Sequence, residues 1–162
     1  MTYTWHRATL HDVDDIVKLA EQHFQKDIAS VFTPNPPVYA RNLVYTIVNQ
    51  TYYPDTALLA VARQNDTGKL LAYTWAKAGD KPAWSDDNIL RVMMAHVDLT
   101  LSTRFRVTLI RDMLRHWEEM ARRSNNNVIC STTMRDDQTG FLKLHLRAGY
   151  KIVGNAAYKR IS

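Results

Sequence analysis

The order of patterned segments between residues 92 and 133 constrains the fold of this chain more than any other feature. An apolar run at 92–101 is followed by a helical pattern at about 106–123 and by a second apolar run at 128–133. This order predicts two parallel strands joined by a crossover helix. The start of that helix suits an anionic ligand, because its N–H groups and its dipole present positive charge there.

The segments on either side predict the rest of an α/β fold. We predict strands at 2–7, 56–63 and 70–76, a helix opening at 11–15, a proline-bounded loop at 33–37 and a helix at 39–49. The two runs at 56–63 and 70–76 flank a turn with a glycine, which predicts a hairpin. After the crossover we predict a short helix ending near Gly149 and a last strand. The sum is a mixed sheet, antiparallel in its first half and parallel around the crossover.

Length and composition favour one ordinary globular domain spanning residues 1–162. The chain is 46% hydrophobic and 23% charged, and no apolar run approaches the roughly 20 residues that cross a bilayer. No apolar signal segment follows the N-terminus, so we expect a cytoplasmic protein without membrane partners. Cys130 is the only cysteine, which excludes an internal disulfide, and the six histidines lack metal-site spacing. We therefore predict no metal.

Basic residues concentrate in the crossover helix of a chain whose net charge is +5. The arginines of this segment are at positions 104, 106, 111, 115, 122 and 123. A basic cluster attracts polyanions, including nucleic acid and the phosphates of a coenzyme, whereas a solvated helix face with internal ion pairs is the simpler interpretation. Nucleic-acid binding is the weakest of these hypotheses, and it predicts affinity that falls steeply with salt.

The predicted strand at 92–101 carries two polar residues of chemical interest. Regular alternation places Met93 and other apolar residues on one face, which is predicted to be core, and Val92, Met94, His96, Asp98 and Thr100 on the other. Burying His96 and Asp98 without partners would cost several kcal/mol, so they are either paired with each other or with backbone groups, or they face a wet cleft. Histidine titrates near neutral pH, whereas an ordinary aspartate is a poor base there.

The segment Phe-Leu-Lys-Leu-His-Leu-Arg-Ala-Gly-Tyr at 141–150 resembles the "lYeklGF" segment of the GCN5-related N-acetyltransferase (GNAT) superfamily. The element order of the whole chain is also similar. The resemblance implies a GNAT-like mixed sheet with helices on both faces, acetyl-CoA as co-substrate, and transfer of its acetyl group to an amine by direct attack. It also implies that the thioester lies where the strand at 92–101 splays from its parallel neighbour.

The resemblance further implies site residues. Asp98 or His96 would take the amine proton, and backbone N–H groups near Leu99 and Leu101 would polarise the thioester carbonyl. The family's pyrophosphate motif, Arg/Gln-x-x-Gly-x-Gly/Ala, aligns with residues 104–109. Arg104 matches, but Val107 and Leu109 replace the small residues. Ser102, Arg104, Arg106 and the segment around Val107 would then contact the coenzyme. Near the C-terminus, Gln138 takes the family's asparagine position and His145 the tyrosine position, where it would protonate the departing thiolate.

The glycine-poor turn leaves an alternative open. It resembles that of some short acetyltransferase-like proteins of tailed phages, and the chain would then keep the fold without the coenzyme, as a structural or binding component of a larger assembly. The enzyme hypothesis fails if Val107 and Leu109 both point into the phosphate site. The acceptor amine, small molecule or protein, is not specified by the sequence. A homodimer is compatible with the resemblance.

Overall fold

The computed structural model describes residues 2–29, 31–134, 138–154 and 157–161. They form a five-stranded sheet in the order β1-β2-β3-β4-β5, in which β1 to β4 are antiparallel and β4 pairs with β5 in parallel. The strands are β1 (Tyr3–Arg7), β2 (Ala57–Gln64), β3 (Leu70–Asp80), β4 (Ile89–Val97) and β5 (Val128–Cys130). The helices are α1 (Val13–His23), α2 (Pro36–Tyr52), α3 (Thr103–Arg123) and α4 (Thr139–Arg147). The predicted α/β class and the parallel crossover through α3 are confirmed.

The sheet has a hydrophobic core on each face. On one face, α3 packs Leu109, Met113 and Trp117 against the strands, and the buried Trp117 indole donates a hydrogen bond to the Thr74 hydroxyl at 2.8 Å. On the other face, Ile16 of α1 and Leu43 of α2 pack against the strands. Helices therefore cover both faces, as the resemblance implied. Within the described ranges, no helix is long and apolar enough to cross a bilayer.

Several predicted boundaries were wrong. Helix α2 begins at Pro36, inside the predicted loop, because Asn35 caps it by accepting the Val38 N–H and prolines are tolerated in a first turn. Strand β5 ends at Cys130, three residues earlier than predicted. No last strand is found in 151–154 or 157–161, while residues 155–156 lie outside the described part. Gly149 does follow α4 with a φ of +86°, as predicted for a helix end.

A bulge in β4 corrects the predicted alternation of faces. In the pairing with β3, Ala76 lies opposite Val92 and Trp75 opposite Met94, so that Met93 is an extra residue. Side chains before and after the bulge are therefore out of phase. Val92 joins the α3-side core, and Met93, predicted to be core, is 42% exposed. The strand also ends at Val97, which places Asp98 and Thr100 in the following loop.

Between α1 and α2 the chain continues α1 as a short π-helical segment, Phe24–Ile28. Segments of this kind are rare and occur frequently at functional sites. Here the segment lies near the C-terminal end of β4, so that its residues border the cavity described next.

Candidate functional site

Strands β4 and β5 separate soon after they begin to pair. Their register contains three residue pairs, the last of which joins Arg91 to Cys130. Strand β4 continues for six more residues, through Val97, without a pairing partner from β5 in the described part of the chain. The gap opens into a cavity of about 470 Å³. An unpaired strand edge beside a cavity offers backbone groups that can hydrogen-bond a ligand.

Five parts of the chain line this cavity. They are residues 92–97 of β4, one face of α3, residues 132–134 after β5, one face of α4, and a group formed by His23, Asp27, Ile28 and Tyr158. The α3 residues are Thr103, Arg106, Val107 and Ile110. Their spacing of three, four and seven places them on a single helix face. Helix α3 therefore presents its first two turns to the cavity.

The start of α3 is suited to an anion. Ser102 caps the helix, because its hydroxyl accepts the Phe105 N–H and its carbonyl accepts the Arg106 N–H. The N–H groups of Thr103 and Arg104, at the first two helical positions, have no acceptor within the helix. They add to the positive end of the helix dipole. This end of α3 therefore presents donors next to the cavity that the helix itself does not use.

Arg106 supplies a second, independent sign of an anionic ligand. Its Nε atom is buried and has no hydrogen-bond partner among the described residues, while its Nη2 atom donates to the Thr103 hydroxyl at 3.2 Å. Leaving a charged donor unpaired in a buried position is costly unless a ligand accepts from it. Lys143 and Arg147, one turn apart on α4, add two more cations to the cavity lining. These residues fit the phosphates of a coenzyme.

The two positions predicted to carry small residues behave differently. Leu109 is fully buried in the core between α3 and the sheet. Val107 lines the cavity and also packs against that core. Both lie in the second turn of α3 and not in the loop before it. The result that would end the enzyme hypothesis, in which both side chains fill the phosphate site, is therefore not observed.

His96 is the predicted catalytic residue that lines the cavity. Its Nδ1 atom lies 2.6 Å from the hydroxyl oxygen of Tyr73, its neighbour across β3 and β4, and that oxygen lies 2.9 Å from the hydroxyl of Tyr39. The imidazole of His23 stacks on His96 with ring centroids 4.1 Å apart and 1° between the planes. The His23 Nε2 atom lies 2.9 Å from the Val97 carbonyl oxygen. These contacts hold the His96 ring in one orientation.

Asp98 lies outside the cavity lining, with its carboxylate fully engaged. Oδ1 accepts hydrogen bonds from the N–H and the hydroxyl of Thr100 at 2.9 and 2.7 Å, and Oδ2 forms an ion pair with Lys69 Nζ at 2.6 Å. Burial alone would raise the pKa of this carboxyl, but the hydrogen bonds from Lys69 and Thr100 outweigh it and hold the pKa below its usual range. A carboxylate in this state is a weak base.

His145 is also buried and does not line the cavity. Its Nδ1 atom lies 2.9 Å from the Phe141 carbonyl oxygen, one turn earlier in α4, and its Nε2 atom lies 3.0 Å from the Ser131 hydroxyl. A neutral ring satisfies both contacts, donating from Nδ1 and accepting at Nε2. Burial lowers the pKa of this imidazole, and the hydrogen bond to Phe141 offsets the effect only in part. The arrangement favours a neutral, packed side chain at pH 7.

The other residues predicted to bind the coenzyme are divided by the structure. Of these, Arg106 and Val107 line the cavity, whereas Leu99, Leu101, Ser102, Arg104 and Gln138 do not. In the loop before α3, the N–H groups of Thr100 and Leu101 already donate to Asp98. The Arg104 side chain is exposed on another face of the helix. Gln138 takes the N-cap position of α4 without a side-chain capping bond.

Sequence reasoning missed several cavity residues. Lys143 and Arg147 had a detectable signal, since their spacing of four in an amphipathic segment predicts a shared helix face. His23 lies in the helix predicted to open at 11–15, and nothing in its spacing relates it to His96, 73 residues later. Tyr73 lies in a predicted strand and Tyr39 in a predicted helix, where nothing in the sequence marks either as a partner of His96; both are buried. In the described part of the chain, no group of three or more His, Cys, Asp or Glu residues could hold a metal ion.

Comparison with solved structures identifies this architecture. The chain superposes on AAC(6')-Iy, an aminoglycoside N-acetyltransferase solved with a bisubstrate analogue of CoA, with a TM-score of 0.74, 11% identity, and coverage of 100% of this chain and 99% of that one. It superposes on glucosamine-6-phosphate N-acetyltransferase from Arabidopsis thaliana with a TM-score of 0.70, 13% identity and full coverage of both chains. It also superposes on a predicted acetyltransferase from Clostridium acetobutylicum, solved with acetyl-CoA. There the TM-score is 0.71 and the identity 13%, and the match covers 98% of this chain and 96% of that one.

These likenesses establish the fold. The chain has the fold of the GCN5-related N-acetyltransferases, spanning essentially its whole length. No protein-family sequence model matches the chain, and neither does the sequence of any curated protein. At 10–15% identity, the sequence has diverged widely from the structures whose fold it shares.

Proposed function

We propose that this protein is an N-acetyltransferase that moves the acetyl group of acetyl-CoA to an amine acceptor by direct attack. The gap between β4 and the chain beyond Cys130 carries the proposal. It combines a strand edge that β5 does not pair beyond Arg91, a helix start, and a buried guanidinium N–H without a partner among the described residues. The strand edge suits the pantetheine arm of the coenzyme, and the helix start and the guanidinium suit its pyrophosphate. The fold supports the proposal, since similar structures were solved with CoA or acetyl-CoA bound.

The parts of the coenzyme match different walls of the cavity. Its pyrophosphate is anionic, and the start of α3 with Arg106 offers the unsatisfied donors that such a group needs. Lys143 and Arg147 supply further positive charge for the phosphates. The pantetheine arm contains two amides, which can hydrogen-bond to the unpaired edge of β4. The thioester then lies towards the end of β4, where His96 lines the cavity.

The proposed reaction needs no covalent enzyme intermediate. The nitrogen of the neutral amine attacks the thioester carbonyl carbon, the C–N bond forms, and the carbonyl π electrons move onto oxygen. When the oxyanion collapses, the C–S bond breaks and the sulfur leaves as a thiolate. The nitrogen gives its proton to water, and the thiolate takes one from solvent. The products are the N-acetylated acceptor and CoA. The protein contributes mainly positioning and stabilisation of the oxyanion.

Among the predicted catalytic residues, the proposal places His96 beside the reacting groups. Asp98 is assigned to shaping the loop before α3, since its carboxylate already accepts from Thr100 and pairs with Lys69. His145 is assigned to the core of α4, where both ring nitrogens have partners. The acceptor is defined only as an amine. Aminoglycosides and glucosamine 6-phosphate, after which the similar structures are named, are the first candidates.

A thiol-release assay tests the proposal. The wild-type protein is incubated with acetyl-CoA and a panel of aminoglycosides, amino-sugar phosphates, polyamines and peptides, and free CoA is followed with a thiol reagent. We expect amine-dependent release with at least one acceptor class. Arg106→Ala should reduce kcat/KM by roughly 10- to 150-fold, the value of one charge-assisted hydrogen bond to a phosphate.

Arg104→Ala is the matched control, because Arg104 lies two residues away on the same helix but outside the cavity lining. It should change kcat/KM by less than about threefold, since the exposed Arg104 side chain does not line the cavity and solvent weakens the interactions of an exposed charge. Cys130 is the single protein thiol, so any background is at most stoichiometric. Equal effects of the two substitutions, or no release with any amine, would contradict the proposal.

A further inference from the structure

A buried hydrogen-bond chain leads from the core to His96. The Tyr39 hydroxyl contacts the Tyr73 hydroxyl at 2.9 Å, and the Tyr73 hydroxyl contacts His96 Nδ1 at 2.6 Å. Tyr73 is fully buried and Tyr39 is 8% exposed. Both phenol groups have a pKa raised by burial, so each remains a neutral hydroxyl with one proton to donate. In each of the two hydrogen bonds, the donor and the acceptor therefore have to be assigned.

The far end of the chain fixes that direction. Within the described residues, the only hydrogen bond of the Tyr39 hydroxyl is the one to Tyr73. If Tyr39 donates to Tyr73, then Tyr73 donates to His96 Nδ1 and every hydroxyl proton has an acceptor. If the chain runs the other way, His96 donates from Nδ1, Tyr73 donates to Tyr39, and the Tyr39 proton is left without an acceptor. Leaving this buried hydroxyl unpaired disfavours the second arrangement, in which His96 carries its proton on Nδ1, by roughly 5- to 150-fold.

The surroundings of His96 prevent a ring flip that would exchange the positions of Nδ1 and Nε2. His23 lies parallel to it at 4.1 Å, and Phe24 contacts it edge-on with ring centroids 6.0 Å apart. Phe24 also packs edge-on against Tyr39. A ring clamped in this way cannot exchange its two nitrogens by a flip without moving α1. The packing of Phe24 against both His96 and Tyr39 thus holds the His96 ring and the Tyr39–Tyr73 hydrogen bonds in a single arrangement.

We propose that Tyr73, the second hydroxyl of the chain that begins at Tyr39, holds neutral His96 as the tautomer with its proton on Nε2. His96 therefore donates a hydrogen bond through Nε2 and does not accept a proton there. Tyr73 is a positioning residue, because it acts through His96, and among the described residues the Tyr39 hydroxyl hydrogen-bonds to Tyr73 only. A neutral imidazole donor of this kind can stabilise negative charge that develops on an oxygen.

The assignment deepens the proposed function, on which this step rests. In acetyl transfer, the Nε2–H group would donate to the thioester carbonyl oxygen as it becomes an oxyanion. The amine proton would leave to water and not to His96. Protonation of His96 on Nδ1 would leave the Nε2 donor in place. The donor role therefore differs from a base role in a measurable way, since a base must lose activity once it is protonated.

Nitrogen-proton NMR correlation of the histidine side chains in the full-length protein tests the tautomer directly. The signals of His96 are identified by their loss in His96→Gln, and spectra are recorded at a pH where the ring is neutral. We expect a protonated Nε2 and an unprotonated Nδ1. A protonated Nδ1 in the wild-type protein would overturn the proposal. No ligand and no activity are needed, so this result is independent of the proposed function.

Two substitutions provide matched variants, each of which removes one buried oxygen. Tyr39→Phe leaves Tyr73 with His96 Nδ1 as its remaining partner, and the Nε2–H tautomer should persist. Tyr73→Phe removes the donor to Nδ1, and the tautomer preference should fall towards a mixture. Retention of the full preference in Tyr73→Phe, or its loss in Tyr39→Phe, would contradict the assignment. Thermal unfolding of both variants checks that each remains folded.

Kinetics supply the readout that a merely structural role would not change. Once an acceptor is known, His96→Gln should retain a measurable part of kcat, because the glutamine amide still donates, whereas His96→Leu should lose it. Equal loss in both variants would refute the donor role. A protein that fails to bind acetyl-CoA but shows the Nε2–H tautomer would refute only the proposed function.

Discussion

Asp98 offers the sharpest contrast between a catalytic and a structural role. Its side chain accepts the N–H of the residue two positions later, which is an Asx turn, and this turn leads the chain from β4 into the capped start of α3. Asp98→Ala removes the acceptor for both Thr100 donors in a site that is 4% exposed. The expected loss of unfolding free energy is about 2–3 kcal/mol. Asp98→Asn keeps a carbonyl oxygen for these donors and should lose much less.

Lys69→Ala separates the ion pair from the turn. The Lys69 side chain is 55% exposed, so solvent screens the pair and its loss should cost at most about 1 kcal/mol. Urea unfolding at pH 7 measures all three variants. Hydrogen bonds lower the pKa of Asp98 in the folded protein. The ionised carboxylate therefore contributes fully to the free energy of unfolding above its ordinary pKa of 3.8, and this contribution disappears as the pH falls through the folded-state pKa.

The kinetic result decides the role. If Asp98 shapes the turn, Asp98→Asn should keep acetyl transfer within about tenfold of wild type, whereas loss of a general base costs roughly 100-fold or more. The reasoning is refuted if Asp98→Asn unfolds at the wild-type urea concentration but loses catalysis as completely as Asp98→Ala.

Further predictions concern α3 and α4. Leu109→Ala should lower the free energy of unfolding by about 2–5 kcal/mol, because Leu109 is fully buried, and should leave acetyl-CoA affinity unchanged in the folded fraction. Val107→Ala should instead change acetyl-CoA affinity in a calorimetric titration, with stability altered by less than about 1 kcal/mol, since this half-buried side chain lines the cavity. For His145, burial lowers the folded-state pKa, so the unfolded chain binds more protons below its ordinary value of 6.5 and stability falls there. His145→Gln should therefore lose less stability than wild type between pH 7 and pH 5 in urea unfolding; an identical slope would contradict this.

The sequence predicted the architecture because periodicity and order determine it. Alternation, helical spacing and the strand-helix-strand order were enough for the antiparallel half and for the parallel crossover through α3. The glycine after α4 was also recognisable, since Gly149 has the positive φ that such a position favours. Features that depend on single residues in register, such as the ends of β4 and β5, were placed three to four residues too far along the chain.

The candidate site was harder to predict, for two physical reasons. The bulge at Met93 changes the phase of β4, and no local pattern marks it. Nor does any local pattern mark the end of β4 at Val97, so alternation could not separate His96 from Asp98. The partners of His96 come from α1, α2 and β3, and only the folded chain brings them together. Arg106 and Arg104 looked equivalent in sequence, but the helix turns one towards the cavity and the other towards solvent.

A calorimetric titration of the purified protein with acetyl-CoA tests the central claim most directly, because it measures the coenzyme site without knowledge of the acceptor. The structure predicts one-to-one binding with a micromolar Kd that Arg106→Ala weakens at least tenfold and Arg104→Ala leaves within about threefold. No heat and no thermal stabilisation at millimolar acetyl-CoA would contradict the claim. The protein would then share the acetyltransferase fold without its coenzyme chemistry.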